Sequence, residues 1–128
     1  VMTLELGVNM RLAFSPEQFR ARCRYLLERL IARHPGKPLA LITIFPNAHH
    51  PALATADSDT LRSQVAFDEA LRALHAELRH PNLHLIEGAD LLRDPSGLTK
   101  DLIHPGDAGH MEIARNLAAR LRSIVGAP

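Results

Sequence analysis

Asp101 stands three residues before His104 in the stretch Asp-Leu-Ile-His-Pro-Gly-Asp-Ala-Gly-His, just ahead of the helical pattern that closes the chain. A carboxylate at that separation on an extended loop can hold one imidazole nitrogen as N–H and leave the other free as a general base. Pro105 biases His104 away from helical geometry, which keeps the ring on the loop. The same two residues also suit a plainer purpose, capping and decorating the last helix. Asn9 is the second candidate. It follows Gly7 at the end of an apolar run, so its amide can project over a strand end and donate to a developing oxyanion, an interaction worth about 3 kcal/mol in the transition state. The plainer reading is an Asn that closes a turn on its own backbone. A base and an oxyanion donor need a nucleophile. None of Ser15, Ser58, Ser63, Ser96, Ser123 or Cys23 stands directly after a strand-like run.

Other chemistries fit less well. Eight histidines raise the possibility of a metal, with His49-His50, Asp101 and His104 as candidate ligands. Adjacent histidines on an extended loop point to opposite sides, and no HExxH-type helical pair exists, so no metal or other cofactor is expected. His110 reads as a first-turn helix residue rather than a ligand. No Gly-rich segment opens a helix as a phosphate cradle. The single cysteine, Cys23, excludes an internal disulfide framework and reads as a buried inert thiol.

Fifteen Lys and Arg against fourteen Asp and Glu, spread over helix faces, give no field that steers the chain toward nucleic acid or anionic lipid. No apolar run approaches the roughly 20 residues of a membrane span, and no signal-peptide pattern is present. The compartment is not legible in these residues.

The elements that must position Asn9, Asp101 and His104 follow from periodicity. Val1 to Leu6 reads as a buried strand. Ser15-Pro16-Glu17-Gln18 announces a helix, with Ser15 as cap and Gln18 closing a capping box. Phe19, Cys23, Leu26, Leu27, Leu30 and Ile31 continue it at helical spacing to about His34-Pro35-Gly36. Leu39 to Phe45 is a continuous apolar run, the pattern of a parallel strand covered on both faces, and the stretch from Asn47 to Ser58 reads as a loop. A second helix runs from about Asp57-Ser58-Asp59 to Arg79, with Leu61, Val65, Leu71, Leu74 and Leu78 inward. Leu83 to Ile86 is a third strand, followed by an irregular stretch. The last helix runs from about Asp107 to Val125, with Ile113, Leu117, Leu121 and Ile124 inward and Gly126 as its stop.

This alternation predicts a single α/β domain with a parallel sheet of about three strands and helices on both faces. Both candidate segments then fall at the carboxyl ends of strands, where sites in such sheets form. Three strands make a thin sheet whose first strand would leave an open edge. Residues upstream of Val1, or a partner chain, are expected to cover that edge, and the chain reads as the C-terminal portion of a larger domain.

Taken together the two segments resemble the SGNH, or GDSL-type, hydrolase superfamily. Gly7-Val8-Asn9 looks like that family's Gly-x-Asn block. Asp101-Leu102-Ile103-His104-Pro105, with Gly109-His110 and Ile113-Ala114 behind it, looks like its late Asp-x-x-His-Pro block. The resemblance implies a flavodoxin-like three-layer α/β/α fold and ester hydrolysis of a small-molecule substrate through an acyl-serine. It makes Asn9 an oxyanion-hole donor, His104 the general base and Asp101 its orienting carboxylate. The family's Gly-Asp-Ser block has no counterpart here, so the chain alone is expected to be inactive. Met10 stands where the family commonly has Asp, which suggests a more apolar pocket rim. The competing expectation is a degenerate, non-catalytic domain that binds a partner through its open edge or pocket.

Overall fold

A computed structural model describes residues 1–126. Its elements are β1 (Met2–Glu5), α1 (Pro16–Arg33), β2 (Leu39–Ile42), α2 (Asp59–Leu78), β3 (Leu83–Ile86), the single-turn α3 (Gly88–Leu91) and α4 (Asp107–Val125), with a 3-10 turn at Pro95–Gly97. The strands pair in parallel in the order β1-β2-β3, with Met2 opposite Leu39 and Leu39 opposite Leu83. The chain advances one strand at a time in one direction, so crossovers of a single hand put α1 and α2 on the same face. After β3 the chain turns back and lays α4 on the other face.

Two apolar layers fill the space between sheet and helices. On one face Leu39, Leu41 and Leu83 pack with Phe19, Cys23 and Leu27 of α1 and with Phe67, Leu71 and Leu74 of α2. The rings of Phe19 and Phe67 stack with centroids 3.9 Å apart. On the other face Ala40, Ile42, Ile86 and Leu91 meet Leu117, Leu121 and Ile124 of α4. All four residues of β2 are buried, as a strand covered on both faces requires. The architecture is the three-layer α/β/α arrangement expected from the alternation, and the helix boundaries follow the capping signals. Ser15 Oγ accepts from the Gln18 amide at 3.3 Å while Gln18 Oε1 accepts from the Ser15 amide at 3.0 Å. Ser58 caps α2 by accepting from the Leu61 amide, and α4 stops at Gly126 in the left-handed region, φ 67°.

Four expectations need correction. The first strand, read as buried over Val1 to Leu6, spans Met2–Glu5 and is half-buried with Thr3 exposed, as an edge strand is. The middle strand ends at Ile42, not Phe45. The Thr43 amide still donates to the Ile86 carbonyl on the β3 side, but β1 has ended at Glu5, and the Ile44 amide, which faces that side, donates to Asp68 Oδ1 at 2.9 Å. A side chain from α2 thus takes over where the ladder stops. The buried stripe of α2 is also not the leucine-only set that periodicity picks out. Gln64, Phe67, Asp68, Ala70, Leu71 and Leu74 are buried, while Leu61, Val65 and Leu78 are only half-buried. The stretch between β3 and α4, read as irregular, contains α3 and the 3-10 turn.

Candidate active site

The loop before α4 is built to hold one carboxylate. Asp101 Oδ1 accepts from the Ile103 amide at 2.8 Å, the His104 amide at 3.0 Å and Thr99 Oγ1 at 2.7 Å. Its second oxygen, Oδ2, lies 2.8 Å from His104 Nδ1. The bond from the His104 ring, followed by those from the two amides and Thr99, holds the Asp101 carboxyl far below the usual carboxylate range, so it stays ionised. A carboxylate against Nδ1 fixes that nitrogen as N–H and leaves Nε2 as the free acceptor. Both side chains are substantially exposed, 72% for His104 and 46% for Asp101.

The loop is closed on itself by Thr99 N–H to the His104 carbonyl at 2.8 Å and by a bridge between Leu98 and Pro105. Leu102, between the two polar residues, adopts φ 55°, the left-handed region that side chains avoid. Behind the loop, Gly109 in the first turn of α4 lies directly on the backbone of Gly97. A Cβ at Gly97 would come within 2.9 Å of the Gly109 Cα, so both positions need glycine for this close approach.

Asn9 follows β1, beyond the strand's carboxyl end. Gly7 makes the turn out of β1 at φ 132°, and a Cβ there would press within 2.8 Å of Ile44 Cδ1. The turn is closed by Met10 N–H to the Gly7 carbonyl at 2.8 Å. Among the described residues the Asn9 amide makes no hydrogen bond, so its side chain is not the group that closes the turn.

A cleft of about 250 Å³ lies between these two loops. Asn9, Asn47, His104 and His110 give it polar edges, Val8, Ile44, Phe45, Ile103, Pro105 and Ile113 give it apolar walls, and Glu5 lines it as well. The fold thus brings Asn9 and His104 to one cavity, with Asp101 behind the imidazole. His110 is in α4, as its position predicts, and also lines the cleft. Met10 does not: it packs with Leu6, Phe14, Phe19 and Cys23 beside α1, so the apolar rim expected of it is absent. No serine lines the cleft. Ser15, Ser58 and Ser123 are engaged in helix-cap or helix-backbone bonds, and Ser96 lies in the 3-10 turn.

Several polar residues near the cleft escape a reading by spacing. Arg11, Asn47 and Gln64, each 8% exposed or less, form a buried network. Arg11 Nε donates to the Val8 carbonyl at 2.9 Å, and its Nη1 donates to Gln64 Oε1 and, at 3.3 Å, to Asn47 Oδ1. Asn47 Nδ2 donates to Gln64 Oε1 at 3.0 Å and to the Phe45 carbonyl at 2.9 Å. Burial, reinforced by Asp68 and only partly offset by Arg11, pushes the Glu5 carboxyl up, and its buried Oε1 has no hydrogen-bond partner among the described residues. Burial likewise pushes Asp68 up to about 6 against the opposing Ile44 amide bond. The signal available in the sequence was Gln64 and Asp68, one turn apart on the apolar stripe of α2.

His49 and His50 lie on the loop after β2. Burial, with Arg72 adding to it, lowers the pKa of His50, whose Nδ1 accepts from the Ala52 amide at 3.2 Å. Among the described residues no three His, Cys, Asp or Glu side chains converge to hold a metal ion. Cys23 is buried in the α1 core, and burial pushes its thiol up to about 11.

The family model of GDSL-like lipases and acylhydrolases matches residues 8–122. No curated protein sequence matches the chain. Among solved structures, the salicylyl-acyltransferase SsfX3 from a tetracycline biosynthetic pathway superimposes with a TM-score of 0.78 at 19% identity, over 99% of this chain and 38% of that one. LAE5, an alpha/beta hydrolase from the metagenome of Lake Arreo, gives 0.68 at 21% identity over 91% of this chain and 57% of its own. A Bacteroides ovatus protein described as a GDSL-like lipase gives 0.66 at 21% identity, over 88% and 33%. These likenesses show the shared fold, and the chain spans well under two thirds of each of the three.

Proposed function

The chain belongs to the GDSL-like lipase/acylhydrolase family, and from that premise we propose that it is the C-terminal portion of a serine ester hydrolase, supplying the general base and one oxyanion donor. His104 takes the proton of a serine carried on a segment outside this chain. Asp101 steadies the imidazolium that results, and Asn9 donates to the oxyanion of the tetrahedral intermediate. The substrate is a small-molecule ester. The observation that carries the reading is the His104 Nδ1 to Asp101 Oδ2 contact of 2.8 Å on a cleft that Asn9 also lines. A strand from the segment that carries the serine pairs with the outer edge of β1.

A fluorophosphonate probe tests the proposal directly, because it labels only a serine activated by a base. The 128-residue chain stays unlabelled, while a protein extended upstream to include a Gly-Asp-Ser block is labelled and hydrolyses p-nitrophenyl esters. If the extended protein refuses the probe and shows no esterase activity, the hydrolase reading fails and the chain is a binding module built on a hydrolase fold.

A further inference from the structure

We infer that the buried Arg11–Gln64–Asn47 network is a strut that fixes the Asn9 loop and the Asp101/His104 loop in one relative geometry, which makes Gln64 and Arg11 positioning residues. The two loops come from opposite ends of the sequence, and the strut joins them through hydrogen bonds and the peptide bond from Asn47 to Ala48. Arg11 Nε holds the carbonyl of Val8, the residue before Asn9, at 2.9 Å. The same guanidinium donates to Gln64 Oε1 and Asn47 Oδ1, and Asn47 Nδ2 returns to Gln64 Oε1. Ala48, the next residue, donates its amide to the Leu102 carbonyl at 2.7 Å. Leu102 lies between Asp101 and His104 in the left-handed region, a conformation that persists only where its surroundings over-determine it.

Gln64 shows that this is more than packing. Its residue is fully buried, yet Nε2 has no partner among the described residues while Oε1 accepts from both Arg11 and Asn47. An orphaned buried donor is unfavourable, and an apolar residue of the same volume would avoid it. The acceptor oxygen is what an apolar residue could not supply. Because all three side chains are shielded from water, their bonds are not exchanged for solvent and hold the loops stiffly. The catalytic consequence rests on the hydrolytic reading, whereas the mechanical link does not.

Three variants of the chain test the strut by amide hydrogen exchange, followed at Ala48 and His104 with Leu39, which donates to the Asn82 carbonyl at 2.7 Å, and Leu41 as reference for the intact sheet. Gln64→Met removes the acceptor at similar volume. It speeds exchange at Ala48 and His104 by at least about tenfold relative to the reference amides. Gln64→Glu keeps an acceptor oxygen and holds both within about threefold of the parent chain. Unchanged protection at Ala48 and His104 in Gln64→Met overturns the inference. If Gln64→Met unfolds outright, Arg11→Lys, which keeps the charge but loses the fork, takes its place. Loss confined to Ala48 and His104 supports the strut, and uniform loss at all four amides overturns it. In the serine-bearing protein, Gln64→Met lowers kcat about tenfold with KM within about twofold, and Gln64→Glu restores it. Faster exchange with unchanged kcat overturns the positioning role. Coupled exchange in a protein that never hydrolyses an ester sinks the hydrolytic reading and leaves the strut standing.

Discussion

Asp101 divides its two oxygens between two tasks. Oδ1 gathers Thr99 and two amides and so shapes the loop, while Oδ2 alone meets the imidazole. Asp101→Asn therefore separates shape from chemistry. An amide oxygen still accepts from the loop amides, but the amide nitrogen presents a donor to His104 Nδ1 and selects the wrong tautomer. In the serine-bearing protein this substitution lowers kcat by about 10⁴-fold with little change in thermal unfolding. Steady-state ester hydrolysis beside a melting curve measures both, and a loss below tenfold would remove Asp101 from the proposed mechanism. That Asn9 and His104 meet at one cleft, with Asp101 on the imidazole, was legible because their placement needs only local spacing and a strand or helix beside them. Arg11 was not, since its partners lie 36 and 53 residues away and nothing near it signals burial. Met10 misled for a related reason: a motif position tells what replaced an Asp but not which way the side chain turns.

At the scale of elements, the most informative discrepancy is the early end of β2. An apolar run such as Leu39 to Phe45 reports burial, not ladder hydrogen bonding, and burial does continue through Ile44 after the strand stops. Where the ladder to β1 stops, Asp68 reaches from α2 to the Ile44 amide and is 6% exposed. Helical periodicity passes over such a residue because a polar side chain on an apolar stripe is counted as a gap. Its burial has a pH signature. The folded-state pKa of about 6 lies above the ordinary 3.8, so the carboxyl is neutral in both folded and unfolded chains at low pH. As pH rises through the unfolded value the unfolded chain releases its proton first, and the stability Asp68 contributes is lost as pH passes about 6. Asp68→Asn keeps an acceptor for Ile44 and removes the ionisation. The variant minus parent difference in unfolding free energy thus moves in the variant's favour between pH 4 and pH 7, by no more than about 2 kcal/mol after solvent screening. Chemical denaturation at several pH values gives that difference, in which Glu5 and the other carboxyls cancel. A difference that stays flat with pH would mean Asp68 is ionised in the fold.

For the whole molecule, a parallel three-stranded sheet with helices on its faces was readable because β-α-β-α-β alternation leaves few topologies once crossovers share one hand. The sheet that results has a consequence at its β1 edge. Successive backbone groups of a strand face opposite edges, and Met2 N–H turns inward to the Pro38 carbonyl. Thr3 and Glu5 therefore direct their N–H and C=O groups outward, and Leu4 faces β2. An unpaired parallel edge of this kind is a template for another strand. In the 128-residue chain it drives self-association that rises with concentration, visible by sedimentation velocity, and the segment proposed to carry the serine suppresses it by occupying the edge. Proline discriminates here because it removes a single donor. At Thr3 it deletes an outward N–H, so association weakens while the unfolding midpoint shifts little. At Leu4 it deletes a ladder bond and costs about 3 kcal/mol or more. Association that survives Thr3→Pro unchanged would place the sticky surface elsewhere and leave the β1 edge without its assigned strand.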